Sequence, residues 1–311
     1  MKKRQPLRVF APATVANVAV GYDILGFPIN DIGDEVKIKA GVEKGLVIKT
    51  IYKNKGLSKD IYKNTAGLAA QKVLESLGLQ DEPIQLELYK HMDIGTGLGS
   101  SASSAVAGAF GVNEYLGRPY SKQELLKFAT IGEQVADGSF HADNVAPSLL
   151  GSFILIRDND SLDYVKLPVP PGLKAVIVHP KIKILTKDSR EILKSTISLD
   201  QHIKQSGNLA AFVSSLYRTD LEMMSRSLSD CIIEPQRAHL IPHFQLIKES
   251  ALSLGAIGCS ISGAGPSIFC LCINSIIAEN IHEKWASIYN SKKIDCDLYI
   301  SDINTQGARP S

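Results

Sequence analysis

Residues 95–104 read GTGLGSSASS, and this stretch constrains the fold more than any other part of the 311-residue chain. It holds three glycines and five hydroxyl side chains, follows a strand-like segment, and precedes the small apolar run AVAGAF. Glycines let the backbone approach a ligand closely, and successive N–H groups at a helix start attract anions. The stretch is therefore typical of a phosphate-binding loop, although a tight turn before a small-residue helix would explain it equally well.

Neither of the two common nucleotide-binding motifs matches this stretch. The Walker A pattern needs a lysine after its glycines, and none follows here. The dinucleotide-binding G-x-G-x-x-G pattern nearly fits at Gly95, Gly97 and Ser100, but the acidic residue expected about 20 positions later is missing. If the stretch binds phosphate, backbone N–H groups and serine hydroxyls must supply the contacts.

The composition is that of a globular protein with a substantial hydrophobic core. Hydrophobic residues make up 44% of the chain, and the net charge is only +2, which gives no reason to expect binding to nucleic acid or to an anionic membrane. No apolar segment reaches the roughly 18 residues of a membrane-spanning helix, and the N-terminus lacks the apolar core of a signal peptide. The five cysteines form no CxxC pair, so we expect structural thiols and a cytoplasmic protein.

Strand-like and helical segments are mixed along the whole chain, which predicts an α+β fold. The residues at 121–124, SKQE, match a capping box, Gly138 is expected to end the helix that follows, and Asn64 or Thr65 to cap an earlier one. Prolines at 168, 170 and 171 indicate a boundary between two domains, 1–170 and 171–311. The patterns predict strands at 7–13, 35–40, 45–50, 84–89, 173–180, 257–263, 266–273 and 296–300. They predict helices at 64–79, 100–116, 121–136, 187–195, 198–216, 220–229, 242–254 and 276–289. The stretch HADNVAPSLLGSFIL is expected to run from a loop through a short helical turn into a further strand.

Glu133, His141 and Asn144 form a second candidate group, within a dozen residues of one another. With one good nitrogen ligand and no thiolate, the group suits Mg²⁺ better than Zn²⁺. Each residue also has a structural explanation, because Glu133 alone is typical of a charge on a helix surface and His141 of a helix cap.

Three further groups of residues could have either a functional role or a purely structural one. Asn17 and Asp23 are polar residues among apolar ones and could simply hold a loop together. Arg190 and Arg237 are single arginines of the kind found on most surfaces. SISGAGPS, residues 260–267, is a second glycine-rich stretch that alone predicts a tight hairpin.

Taken together, these stretches resemble the GHMP kinase superfamily. FAPATVANVAVGYDILG, GLGSSAS and ISGAGPS occur in the superfamily's order, and HADNVAPSLLG, TKDSRE and EPQRAHLIP resemble its homoserine kinase branch. The resemblance runs from about residue 7 to about residue 273. It implies an α+β fold of two domains, an N-terminal phosphate-loop domain with a left-handed crossover and a C-terminal ferredoxin-like domain, with the active site between them. It also implies a homodimer.

The resemblance implies the transfer of a phosphoryl group from ATP to L-homoserine, with Mg²⁺ held by Glu133 and by Ser100 or Ser101. Asn64 and Lys90 match positions near the nucleotide. The residues that match the phosphate-binding loop are Gly95, Gly97, Leu98, Gly99, Ser100, Ser101 and Ser103.

Homoserine is a zwitterion, and its carboxylate suits arginine while its ammonium group suits carboxylate and amide oxygens. By resemblance, Arg190 and Arg237 bind the carboxylate, and Asp23 and Asn17 bind the ammonium group. The residues matched near the rest of the substrate are His141, Asn144, Thr186 and Gly263. Glu133, His141 and Asn144 are the expected catalytic residues.

Two positions depart from what the superfamily usually carries. Several members use an aspartate base with a lysine beside it where this chain has Asn144, so we expect the substrate hydroxyl to attack without an enzyme base. Asp143, next to it, matches a residue that points elsewhere. Asp93 stands where a proline usually begins the phosphate loop.

The competing interpretations are a kinase for another small alcohol, such as mevalonate or a sugar, and a nucleotide-binding sensor without catalysis.

Overall fold

The structure, a computed structural model, describes residues 5–53, 56–138, 140–182 and 191–311. In these ranges the strands form one sheet of seven strands and one of four. The larger sheet contains β1 (Leu7–Ala16), β2 (Leu25–Ala40), β3 (Leu46–Tyr52), β4 (Ile84–Tyr89), β5 (Phe153–Asp158), β6 (Asp163–Leu167) and β11 (Arg309–Pro310); the smaller one contains β7 (Lys174–Pro180), β8 (Gly258–Ile261), β9 (Ile268–Cys272) and β10 (Cys296–Asp302).

Nine α-helices are described, together with 3₁₀ turns at Ile61–Lys63 and Ala238–Leu240. The helices are α1 (Thr65–Ser76), α2 (Ser100–Tyr115), α3 (Lys122–Asp137), α4 (Val145–Leu150), α5 (Leu199–Arg218), α6 (Leu221–Ser227), α7 (Glu234–Arg237), α8 (Phe244–Ser253) and α9 (Ser275–Ser291). None of these helices is long and apolar enough to cross a membrane.

The larger sheet has the order β11-β1-β2-β4-β3, and β5 pairs with both β2 and β6. Strands β3 and β4 are parallel neighbours joined through α1, as a crossover connection requires. Helices α1, α2 and α3 pack against one another, and α2 also packs on β1 and β2. The small residues of α2 make this packing possible: a Cβ at Gly108 would lie 2.2 Å from the carbonyl oxygen of Ala66 in α1.

The smaller sheet is antiparallel with the order β10-β7-β9-β8. Counted from β7, this is the 4-1-3-2 order of a βαββαβ ferredoxin-like domain, so the predicted fold class is confirmed. Cys259, Cys270 and Cys272 lie buried in its core, where burial raises the pKa of each thiol. All five cysteines of the chain are free, which agrees with the expected structural role.

Most predicted elements are present, and the capping box at Ser121 and the left-handed cap at Gly138 both occur as expected. Asn64 caps α1 by accepting a hydrogen bond from the backbone N–H of Gly67 at 3.1 Å. Strands β6 and β11 and the first half of β2 were not predicted. The first four residues of the predicted helix at 187–195 lie outside the described residues, and of the other five only Glu191 is helical. Strand β11, which follows the smaller sheet in the chain, pairs with β1 in the larger sheet. The larger sheet therefore contains residues from both sides of the proposed boundary, and the division at residue 170 stays a prediction.

Candidate active site

The glycine-rich stretch forms a loop that ends at the N-terminus of α2. Gly95, Gly97 and Gly99 have φ angles of +77°, +76° and +63°, a region that side chains strongly disfavour. Ile94 and Gly95 are exposed at the crest of the loop, while Leu98 is buried. The loop therefore presents its backbone to solvent at the positive end of a helix, where an anion is favoured.

The second glycine-rich stretch supports this loop from the other sheet. The hydroxyls of Ser262 and Ser267 each donate a hydrogen bond of 2.6 Å to a loop carbonyl, at Gly97 and Thr96 respectively. A Cβ on Gly97 would lie 2.6 Å from the carbonyl oxygen of Ser262. The two stretches thus interlock, and Gly263 lies at their junction.

A buried ion pair lies beneath the start of α2. Lys90 Nζ pairs with Asp34 and also donates hydrogen bonds to the hydroxyls of Ser100 and Ser104, each at 2.8 Å. The two charged side chains are 6% and 2% exposed. The side chain of Ser103 is likewise used internally, donating to the carbonyl oxygen of Ala11 at 2.7 Å.

The neighbouring serine points to α3 instead. Ser101 donates a hydrogen bond of 2.6 Å to Glu133 Oε1. Hydroxyl and carboxylate oxygens are hard ligands of the type that Mg²⁺ prefers. The structure therefore brings Ser101, rather than Ser100, together with Glu133.

The loop after β1 is conformationally strained. Asn17, Val18, Ala19 and Asp23 have φ angles of +71°, +42°, +59° and +58°. A positive φ is rare for residues other than glycine, and especially for a branched residue such as Val18, and such strain clusters at functional sites.

This loop gathers several predicted substrate contacts. Asn17 accepts a hydrogen bond from the N–H of Asp23 at 3.0 Å and donates one to the carbonyl oxygen of Gly263 at 2.9 Å. Arg237, which is buried, donates to the same carbonyl at 3.2 Å. His141 Nε2 lies 3.7 Å from Asp23 Oδ2. Thr186 and Arg190 lie outside the described residues.

Asn144 lies at the start of α4, and its side chain makes no hydrogen bond to the N–H groups of that helix. Instead its Oδ1 accepts a hydrogen bond of 2.7 Å from the hydroxyl of Thr14. Sequence reasoning did not single out Thr14. The available signal was one hydroxyl side chain inside the apolar stretch FAPATVANVAV.

Sequence reasoning also missed Asp230, which precedes α7. Its carboxylate accepts hydrogen bonds from the N–H groups of Ile232, Ile233 and Glu234 at 2.8–2.9 Å. These bonds hold the turn that leads into the short helix that carries Arg237, whose N-cap residue is Ile233. The available sequence signal was the aspartate of DCIIEPQR, since an aspartate side chain often accepts hydrogen bonds from backbone N–H groups that follow it in a turn.

Asp93 lines a cavity of about 130 Å³ together with Lys181, His179 and Asp297. The hydrogen bond to Asp297 raises the pKa of Lys181, with a smaller contribution from Asp93. Burial lowers the pKa of His179, so this imidazole is neutral near pH 7.

Fold and site together define a small-molecule kinase of the GHMP type. Family models for the N-terminal and C-terminal domains of GHMP kinases match residues 62–152 and 212–291. Homoserine kinases from Chlorobium phaeobacteroides (strain BS1) and Chloroherpeton thalassium are 42% and 40% identical, each covering 96% of this chain and 98% of the relative.

Solved structures agree with these matches. The crystal structure of homoserine kinase from Cytophaga hutchinsonii has a TM-score of 0.96 and 45% identity, covering 100% of this chain and 98% of that one. A mevalonate kinase structure has a TM-score of 0.72 at 15% identity, which shows likeness of fold alone. Within the GHMP kinases, the chain therefore belongs to the homoserine kinase family.

Proposed function

We propose that this protein transfers the γ-phosphoryl group of ATP to the hydroxyl of L-homoserine, giving O-phospho-L-homoserine in threonine biosynthesis, with no side chain acting as a base. One observation carries the proposal. The phosphate loop, the Ser101–Glu133 pair and Asn144 all meet at the N-terminus of α2, where a Cβ on Gly99 would lie 2.8 Å from Asn144 Oδ1.

The phosphates of ATP would bind over the exposed crest of the loop. The N–H groups at the start of α2 and the partial charge of the helix favour negative charge there. Lys90 lies directly beneath the start of α2, where Asp34 balances its charge and its ammonium group fixes the hydroxyls of Ser100 and Ser104. Asn64 and Leu98 stay predicted nucleotide contacts.

Ser101 and Glu133 would hold Mg²⁺, because their oxygens are already close together and are of the type this ion prefers. A bound Mg²⁺ would neutralise charge on the phosphate oxygens. Ser100 is the less suitable of the two serines, since its hydroxyl accepts a hydrogen bond from Lys90.

Homoserine would bind between the strained loop and the second glycine-rich stretch. Asp23 and Asn17 are the acceptors for its ammonium group, and Arg237 is the described partner for its carboxylate. This charge pair favours an amino acid over mevalonate or a neutral sugar. Arg190 and Thr186 remain predicted contacts.

The proposal of attack without an enzyme base rests on Asn144, which stands where several relatives carry an aspartate, and it assigns His141 to binding the substrate beside Asp23. Asn144 is an amide and Thr14 an alcohol, and neither takes a proton near pH 7. Phosphoryl transfer has a loose transition state that mainly needs positioning and charge neutralisation. Asp143, next to Asn144 in the chain, is the carboxylate nearest in sequence that could act if a base were required.

Two variants test the mechanism. Asn144→Ala should lower kcat about 100-fold through lost positioning, while Asp143→Asn should lower it less. The measurement is kcat against pH for both variants. A larger loss in Asp143→Asn, together with a shifted acidic limb of its pH profile, would show that a base is needed.

A coupled assay for ADP release tests the reaction itself. Purified protein receives Mg-ATP with homoserine, mevalonate or galactose in parallel, and a sample with no acceptor measures background hydrolysis. Release with homoserine alone supports the proposal. Release with mevalonate or galactose indicates another small alcohol, and release with none indicates a nucleotide-binding sensor.

The proposal includes a homodimer in the cytoplasm. Light scattering on the purified protein tests the dimer, for which the expected mass is twice the 33.7 kDa of one chain.

A further inference from the structure

We infer that Thr14 is a positioning residue for phosphoryl transfer, which holds the amide of Asn144 in register with the end of the phosphate loop. The inference rests on the proposed function, because it assigns a task to Asn144.

Thr14 links the two parts of the site directly. Its hydroxyl donates to Asn144 Oδ1 at 2.7 Å, and its backbone N–H donates to the carbonyl oxygen of Leu98 at 3.1 Å. The side chain is completely buried. The pairing of β1 with β2 shifts register between Pro12 and Thr14, a bulge of the kind that re-aims a side chain. One residue thus sets the distance between the loop and the amide.

The end of the loop lies against this hydrogen bond. A Cβ built on Gly99 would lie 2.2 Å from Thr14 Oγ1 and 2.8 Å from Asn144 Oδ1. No side chain fits there, so the backbone of the loop, the hydroxyl and the amide are in mutual contact. A shift of any one of them displaces the other two.

The position of α4 does not depend on Thr14 alone. Ser148, one turn into this helix, donates a hydrogen bond of 2.8 Å to the carbonyl oxygen of Pro12. The amide of Asn144 makes no capping bond either. Loss of the Thr14 hydroxyl should therefore leave the helix docked while the amide of Asn144 becomes free to rotate.

The hydrogen bond also decides which end of the amide serves the substrate. Because Oδ1 of Asn144 accepts from Thr14, the Nδ2 group is the end left to face the reacting atoms. Its N–H groups can donate to the homoserine hydroxyl or to a phosphoryl oxygen. Thr14 therefore makes Asn144 a donor, which orients the nucleophile without taking its proton.

The test compares Thr14→Val, which keeps the shape but lacks the hydroxyl, with Thr14→Ser, which keeps the hydroxyl. Thr14→Val should lower kcat about 10- to 100-fold and leave the KM values for ATP and homoserine within about threefold. Thr14→Ser should retain kcat within about threefold. Thr130→Val is the matched control, since its buried hydroxyl bonds to Leu126 inside α3, away from the loop.

A double-mutant cycle shows whether Thr14 acts through Asn144. The double variant Thr14→Val/Asn144→Ala should be no slower than Asn144→Ala alone, because the hydroxyl has nothing left to orient. Thermal melting reports whether each variant folds. If Thr14→Val does not fold, Thr14→Ala carries the same comparison.

The inference is overturned if Thr14→Val keeps the wild-type kcat, if Thr14→Ser is as slow as Thr14→Val, or if the two losses in the double variant multiply. These results differ from failure of the proposed function. If the proposed function fails, the wild-type protein itself releases no ADP with homoserine.

Discussion

The variant Lys90→Met isolates the buried ion pair beneath α2. The substitution removes the partner of Asp34, a carboxylate whose side chain is 2% exposed. Asp34 would keep two hydrogen bonds, from the N–H of His91 at 3.0 Å and from Ser104 at 2.8 Å. Leaving one charge of a buried pair without its partner costs about 3–5 kcal/mol, and the two remaining bonds place the expected loss at about 3 kcal/mol.

Urea unfolding of the wild type and the variant measures this loss directly. Lys44→Met is the matched control, because Lys44 pairs with Asp81 at 3.2 Å but the two side chains are 75% and 65% exposed. Its unfolding free energy should be unchanged within error, since exposed ion pairs contribute little. The double variant Lys90→Met/Asp34→Asn should recover part of the loss, because it removes the isolated charge.

Two results would refute this reasoning. If Lys90→Met costs no more than Lys44→Met, the pair is not desolvated as its burial indicates. If the double variant is as unstable as Lys90→Met, the isolated charge of Asp34 is not the cause of the loss.

Three further predictions concern other parts of the chain. Gly97→Ala should lower the melting temperature and raise the KM for ATP, because the added Cβ would lie 2.6 Å from the carbonyl oxygen of Ser262 and 2.8 Å from that of Gly265. A wild-type melting temperature together with a wild-type KM would show that the two glycine-rich stretches are not packed this tightly. Asp93→Pro should fold and keep or lower the KM for ATP, since proline fixes φ at the start of the loop; loss of folding, seen by circular dichroism, would show that the alignment of the loop is wrong. Burial lowers the pKa of Lys122 from the ordinary value of 10.5 to about 8. Between these two pH values the unfolded chain binds more protons than the folded chain, so the free energy of unfolding of the wild type rises with pH. Lys122→Met should lack this rise in urea unfolding at pH about 7 and about 10, and an equal rise in both proteins would contradict it.

Local patterns predicted the parts of the fold that depend on neighbouring residues. Alternation and helical spacing indicated most strands and helices, and Ser121 and Gly138 marked the two ends of α3 because capping acts within one turn. The short strand β11 escaped prediction, since two residues carry no periodicity and pair with β1 only after the chain has folded.

The candidate site shows the same division. By itself, the sequence determined that a glycine-rich loop precedes a helix of small residues, that Asn144 and Arg237 lie in motifs that resemble a kinase, and that Glu133 lies within a dozen residues of Asn144. Those properties depend on residue type and on spacing along the chain.

Only the tertiary structure decided which side chains meet. Ser100 and Ser101 are adjacent in sequence but point about 100° apart around α2, so the packing of α3 determines that Ser101 meets Glu133 while Ser100 meets Lys90. The bond from Thr14 to Asn144 joins residues 130 positions apart. Side-chain direction and long-range contact arise from how whole elements pack, and no local pattern encodes them.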